Sequence, residues 1–317
     1  MVPRDATIAT AMKGLLPGAL AICLAAALWG LDGVVLTPRL HPLPVLFVVF
    51  LLHLIPFVIM QPIFFGCYRR LFKLSKKDWV VLGLVALTGG IVGTFAIVKA
   101  LFSVDFNQLS VVVLLQKLQP VFAISLAALI LKEPLSIRFV SWATTALVGA
   151  YLLTFGLSPP VMTPGAEATA GAAWATLAAA AYGSATVFGK KLLSSLDFKQ
   201  ATFGRYGLTV ALATVFLALA QDGFPFGEVS NTQWLLIVVI GLTTGSGAIY
   251  LFYYGLSRVP ATVSAICELC LPLTAILLDY WINDSLLTGW QWIGAILLIA
   301  AILKVSNVSS GAARSRT

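Results

Sequence analysis

Charge is what this sequence has least of. Only 10% of its 317 residues are Asp, Glu, Lys or Arg, against 60% that are hydrophobic. A soluble domain carries about 25% charged residues, so this composition does not belong to a surface that faces water. Histidine is scarce too, with two in the chain. No H-E-x-x-H metal helix, G-x-S-x-G nucleophile turn or nucleotide-binding P-loop occurs, which argues against an integral-membrane enzyme and against direct ATP coupling. The four cysteines, Cys23, Cys67, Cys267 and Cys270, lie mostly in apolar segments and give no disulfide framework. Cys267 and Cys270 form C-x-x-C, but without the βαβ context or His set that a redox or metal role needs. No metal and no cofactor are expected.

Long apolar runs are what the chain has instead. A membrane-spanning helix needs about 20 mostly apolar residues. Ten such blocks occur, at 14–36, 43–65, 79–102, 107–131, 136–155, 170–190, 200–220, 232–256, 261–281 and 287–305. Short strands alternating apolar with polar, the pattern of an outer-membrane barrel, are missing. The expected fold is an all-α polytopic membrane protein. Arg4 and Lys13 ahead of the first block resemble a signal peptide, but 14–36 is long enough to span and is read as a retained first helix. The connections are short, with no room for a soluble domain.

A net charge of +8 invites a nucleic-acid partner until its distribution is read. With the N-terminus in the cytoplasm, sixteen of the 20 Lys and Arg residues fall on the cytoplasmic side and only Arg39 falls outside. That is the positive-inside asymmetry, so both termini are expected in the cytoplasm of a cell whose inner membrane holds the chain. No nucleic-acid partner is implied. Trp79, Trp234 and Trp290 lie at span ends and read as interfacial anchors.

An internal repeat organises the spans. At an offset of 152, Gly89 falls on Gly241, Gly93 on Gly245 and Pro120 on Pro272. At 153, "LAAALWG" (24–30) falls on "LAAAAYG" (177–183). The expected units are residues 14–155 and 170–305. Each holds five spans, an odd number, so the second copy must be inverted in the membrane, as in many secondary transporters. The paired glycines, at G-x-x-x-G spacing, either pack helices closely or act as hinges.

These residues carry a family resemblance. With "AAALWG" and "AAAAYG" go "VFAISLAALILKEPLS" (121–136) and "VPATVSAICELCLPLTAILL" (259–278). Together, over nearly the whole chain, they resemble the EamA-type members of the drug/metabolite transporter superfamily. The second copy departs from the pattern where the first has "KEP", reading "NDSLL" (283–287). The resemblance implies ten helices as two inverted repeats around a central cavity. It also implies export of small metabolites, with amino acids the first expectation and other metabolites or drugs the alternative.

Polar groups within a bilayer core are costly and face protein or a wet cavity. Trp29, His53, Gln116 and Lys117 are the mid-span candidates in the first unit, and Tyr182, Arg205, Tyr253, Tyr254 and Glu268 in the second. Pro120 and Pro272 have no N–H to donate, so the carbonyls of Gln116 and Glu268 each lose a helical partner. Broken helices at matching places in two halves point to a midplane substrate site, with Trp29, Gln116, Lys117, Tyr182, Tyr253 and Glu268 as its lining. Lys117 either pairs with Glu268 or attracts a substrate carboxylate. Glu268 and His53 are the proton-coupling candidates, His53 also reading as a satisfied core histidine. Arg205 is expected to snorkel toward the cytoplasmic surface. The partners expected are the lipid bilayer and a small-molecule substrate; a monomer is compatible with all of this. A channel would more naturally show rings of like charge or a repeated filter loop.

Overall fold

The computed structural model describes residues 4–40, 43–103, 109–159, 166–220, 223–282 and 286–314. Ten long helices run through them. They are α1 (Arg4–Leu31), α2 (Val45–Phe64), α3 (Lys76–Ala100), α4 (Val112–Leu131) and α5 (Ile137–Phe155). Then come α6 (Ala166–Leu192), α7 (Phe198–Leu219), α8 (Asn231–Leu256), α9 (Ala261–Ile282) and α10 (Gly289–Arg314). Eight are long and apolar enough to cross a membrane, and α1 contributes a shorter apolar stretch, Leu15–Leu31. No strand occurs among the described residues. Helices that keep every backbone hydrogen bond within themselves are what a lipid solvent demands. The first helix departs from expectation at both ends: it begins at Arg4, and beyond Leu31 it widens into a π turn, Asp32–Leu36. Residues 283–285 of "NDSLL" and the extreme termini lie outside the described residues.

Side-chain caps mark where helices start. Ser75 accepts the Asp78 N–H at α3, and Ser136 accepts the Phe139 N–H at α5. Asp197 with Gln200 and Ser230 with Gln233 form capping boxes at α7 and α8. Each helix then presents two faces. On α1, Leu16, Leu20 and Leu24 point outward at about one-turn intervals, while Ala19, Ala25 and Ala26 are buried. Lipid tails are as apolar as leucine, so small residues that let backbones approach supply the packing, and large ones are left for lipid.

The packing pattern has a pseudo-twofold. α1 packs on α8 and α9; α6 packs on α3 and α4. α2 packs on α7, and α5 on α10. Exchanging the first five helices for the last five returns the same set of pairs. The correspondence reaches single atoms. A Cβ on Gly183 would meet the Gln119 carbonyl at 2.9 Å, the Ala123 nitrogen at 2.9 Å and the Phe122 Cβ at 3.0 Å. A Cβ on Gly30 would meet the Leu271 carbonyl at 2.7 Å, the Ala275 nitrogen at 3.2 Å and the Thr274 Cβ at 3.0 Å. Every one of those partners matches its counterpart at the 152 offset. Gly149 and Gly294 make a similar reciprocal crossing between α5 and α10, each lying against the other's carbonyl. The molecule is two five-helix repeats, and five spans per repeat make the second run in the opposite sense.

Candidate functional site

Both α4 and α9 are interrupted. The α-helical turns of α4 stop at Gln116 and resume at Gln119; those of α9 stop at Cys267 and resume at Cys270. The breaks precede Pro120 and Pro272 and lie at matching places in the two repeats. They tighten rather than open. Leu118 N–H bonds the Leu115 carbonyl, and Leu271 N–H bonds the Glu268 carbonyl at 3.0 Å. The expectation that Pro272 leaves the Glu268 carbonyl free is therefore corrected: a one-turn 3₁₀ bond takes it up.

The glycine pairs sit at a second matched irregularity. α3 carries a π segment at Ala86–Val92, and α8 one at Gly241–Gly245. In α3 the Gly93 N–H goes to the Thr88 carbonyl, five residues back, instead of to Gly89. The Gly89 carbonyl is thereby left without its helical donor, and Arg205 Nη2 supplies one at 3.0 Å. This overturns the snorkelling expectation. Arg205 is only 7% exposed and is drawn inward by an orphaned carbonyl. Its guanidinium lies over Tyr253, 5.9 Å from the ring centre. At the 152 offset its counterpart is His53, which instead donates from Nδ1 to the Val49 carbonyl of its own helix at 2.8 Å and lies 4.9 Å from the Tyr206 ring.

Glu268 is the hub of the remaining polar contacts. Gln119 Nε2 donates to its Oε2 at 2.8 Å, while Thr186 and Ser264 hydroxyls donate to Oε1 at 3.2 and 3.1 Å. Helices α4, α6 and α9 are thus joined through one carboxylate. Lys117 is not among its partners. The structure does not form the Lys117–Glu268 pair held open by the sequence; Gln119, one helical step on, takes that place. Lys117 is partly buried, and its side chain makes no hydrogen bond or ion pair among the described residues. Gln116 Oε1 is buried and unpartnered.

Aromatic side chains line the same region. Trp29 lies 5.5 Å from Phe252, ring centre to ring centre. Tyr182, its counterpart in the other repeat, shares a hydrogen bond with the Thr94 hydroxyl at 3.2 Å. Tyr253 is fully buried, with the Arg205 guanidinium beside its ring. Tyr254 turns away and stacks under Arg258 at 3.5 Å. His53, Lys117, Tyr182 and Glu268 each keep part of their surface accessible. The charge of Arg205 acts on His53, Tyr182, Tyr206, Tyr253 and Glu268, which places all six in one electrostatic neighbourhood.

Sequence reasoning missed Gln119, Thr186, Ser264 and Thr94. Gln119 had a signal, since it lies three residues from Gln116 on a helix already read as broken. Small hydroxyl residues carry none, because many among the described residues bond a carbonyl of their own helix, as Thr88 does to Leu84. Cys23 packs beside Cys267 and Cys270 where α1 meets α9.

The ends of α4 and α6 close one side. Glu133 of the "KEP" motif receives the Ala261 and Thr262 N–H groups at 2.7 and 2.9 Å, capping α9 from the other repeat. Lys190 Nζ donates to the Leu256 carbonyl at the end of α8 at 2.8 Å.

Two inverted halves, matched helix breaks and a shared polar cluster define a membrane transport protein. The profile of the EamA-like transporter family matches residues 16–155 and again 169–307, and the chain belongs to that family. The riboflavin transporter ImpX of Fusobacterium nucleatum is 45% identical over 300 residues, which covers 94% of this chain and 100% of that protein. An uncharacterised transporter of Archaeoglobus fulgidus is 26% identical over 72% of this chain and 77% of its own length. One of Synechocystis is 28% identical over 73% of this chain and 66% of its own. A solved crystal structure superposes with a TM-score of 0.71 at 18% identity, covering 92% of this chain and 97% of its own, and so shares the fold.

Proposed function

We propose that this chain is a secondary transporter of riboflavin-type flavins, working by alternating access between its two repeats, taken as residues 14–155 and 170–305. The observation that carries the substrate is the 45% identity to a riboflavin transporter across that protein's whole length. The site's chemistry suits it. A flavin presents a broad planar ring with several hydrogen-bonding edges, and the central region offers aromatic faces at Trp29, Tyr182 and Tyr253 with unfilled polar capacity at Gln116, Lys117 and Arg205. A zwitterionic amino acid would need a carboxylate facing its ammonium group, whereas Glu268 already receives three protein donors. In this reading Gly89, Gly93, Gly241, Gly245, Pro120 and Pro272 mark the segments that bend between states.

The basic loops orient the chain with both termini in the cytoplasm of a bacterial inner membrane, which puts the Glu133 and Lys190 contacts on the cytoplasmic side. Two similar halves of opposite sense make the inward- and outward-facing states close in energy. Net direction is then set by the gradients of flavin and of any coupled ion, with Glu268 and His53 as the groups available to a proton; export is the case in which internal flavin is in excess. The test is uptake of labelled riboflavin by proteoliposomes of the pure protein, with labelled amino acids alongside. Saturable flavin uptake is expected; amino-acid uptake without flavin uptake would return the substrate to the resemblance's first expectation.

A further inference from the structure

Arg205 stands out among the polar groups of this region. It is an arginine 7% exposed, and no carboxylate pairs with it among the described residues. Its guanidinium has five N–H donors in a planar fork. One, on Nη2, is used by the Gly89 carbonyl, and Nε is buried with no partner. A buried cation with no carboxylate opposite it and an N–H left unsatisfied is unfavourable, so a chain that keeps one gains something from it when the site is filled.

The surroundings define what fills it. Tyr253 lies against the guanidinium, 5.9 Å from its ring centre, so an aromatic face flanks the fork. A planar fork is satisfied best by two adjacent acceptors in one plane, as arginine shows with the ring nitrogen and carbonyl of guanine. The isoalloxazine ring of a flavin carries the same pair, the N5 nitrogen beside the C4 carbonyl. We infer that Arg205 reads the N5/C4-carbonyl edge of the flavin, the aromatic side chains flanking the ring. The inference rests on the flavin reading above and deepens it by naming the residue and the edge. His53 at the matching position in the first repeat has no fork to offer, which makes the two walls of the site unequal for an unsymmetrical ligand.

The test compares riboflavin with 5-deazariboflavin, in which N5 is replaced by C–H while ring shape and side chain are kept. Purified full-length protein in liposomes is assayed with both, as wild type and as Arg205→Lys, which keeps the charge and loses the fork. Wild type is expected to need about ten-fold more of the deaza analogue for half-saturation, and Arg205→Lys to shrink that gap to within about two-fold. An Arg205 that only braces the Gly89 carbonyl would weaken transport of both compounds equally and leave the ratio unchanged, which overturns the inference. A wild type that treats the two alike overturns it without any variant, so a poorly folding Arg205→Lys does not protect it. Preference for the 5′-phosphate of riboflavin over riboflavin, lost in Arg205→Lys, would mean an anion subsite and also overturn it. No movement of any flavin by wild type is a different failure, that of the substrate reading.

Discussion

At the scale of single residues, the site is a set of groups whose hydrogen-bond capacity is unevenly spent. Glu268 is filled by Gln119, Thr186 and Ser264, so its geometry is fixed by three helices. Glu268→Gln puts an amide N–H₂ where donors converge and leaves a buried donor facing another. Transport is expected to fall by at least about ten-fold with insertion intact, read by flavin uptake and by size-exclusion of the purified variant. Lys117 is the opposite case, with three donors and no partner. Lys117→Met is therefore expected to leave yield and thermal stability near wild type while changing the half-saturating flavin concentration. A collapse in yield would show that it holds the helices together after all. Reading Lys117 from sequence alone left both outcomes open, because residues two apart on a helix, such as Lys117 and Gln119, point to nearly opposite faces and the count does not say which face meets α9. Only the sharp turn at 117–118 decides which of them reaches Glu268.

At the scale of elements, the helix crossings rest on glycines whose missing Cβ lets backbone meet backbone. Gly183 has backbone atoms of α4 at 2.9 Å from where its Cβ would be, whereas Gly83 has nothing within 4 Å. Gly183→Ala is expected to destabilise by about 1–3 kcal/mol and Gly83→Ala to be neutral or to stabilise by about 0.5–1 kcal/mol. Thermal melts of both in detergent check the pair. Glu133 caps α9 from the far repeat, and Glu133→Ala strips two N–H groups of their acceptor. A cost of about 1–2 kcal/mol is expected, together with easier opening on that side, read as faster labelling of a cysteine introduced near Thr262. The matched prolines and glycines made the broken α4 and α9 and the special places on α3 and α8 legible in advance. What they did not convey was the kind of irregularity. A π turn at Ala86–Val92 depends on which carbonyl Gly93 chooses, and the carbonyl it leaves is taken up by Arg205 reaching across from α7. A contact between residues 116 apart leaves no mark on either local sequence.

At the scale of the whole molecule, low charge, long apolar runs and one shared offset were enough to read ten helices in two copies. Packing of α1 on α8 and α9, mirrored by α6 on α3 and α4, gives that repeat its physical form. Substrate was not legible, because the polar positions of the two copies differ, Arg205 against His53, Glu268 against Gln116 and Tyr182 against Trp29, and residue types alone do not say what such a set binds. Orientation is testable directly. A fluorescent protein fused to the C-terminus should fold and glow if that end is cytoplasmic, and an alkaline phosphatase fused there should stay inactive. The central claim, a flavin carrier that alternates between two faces, is tested most directly by counterflow. Liposomes holding the protein and loaded with unlabelled riboflavin should take up labelled riboflavin transiently above equilibrium, faster than empty liposomes and saturably. Uptake that is unaffected by internal riboflavin, or no flavin movement at all, would contradict it.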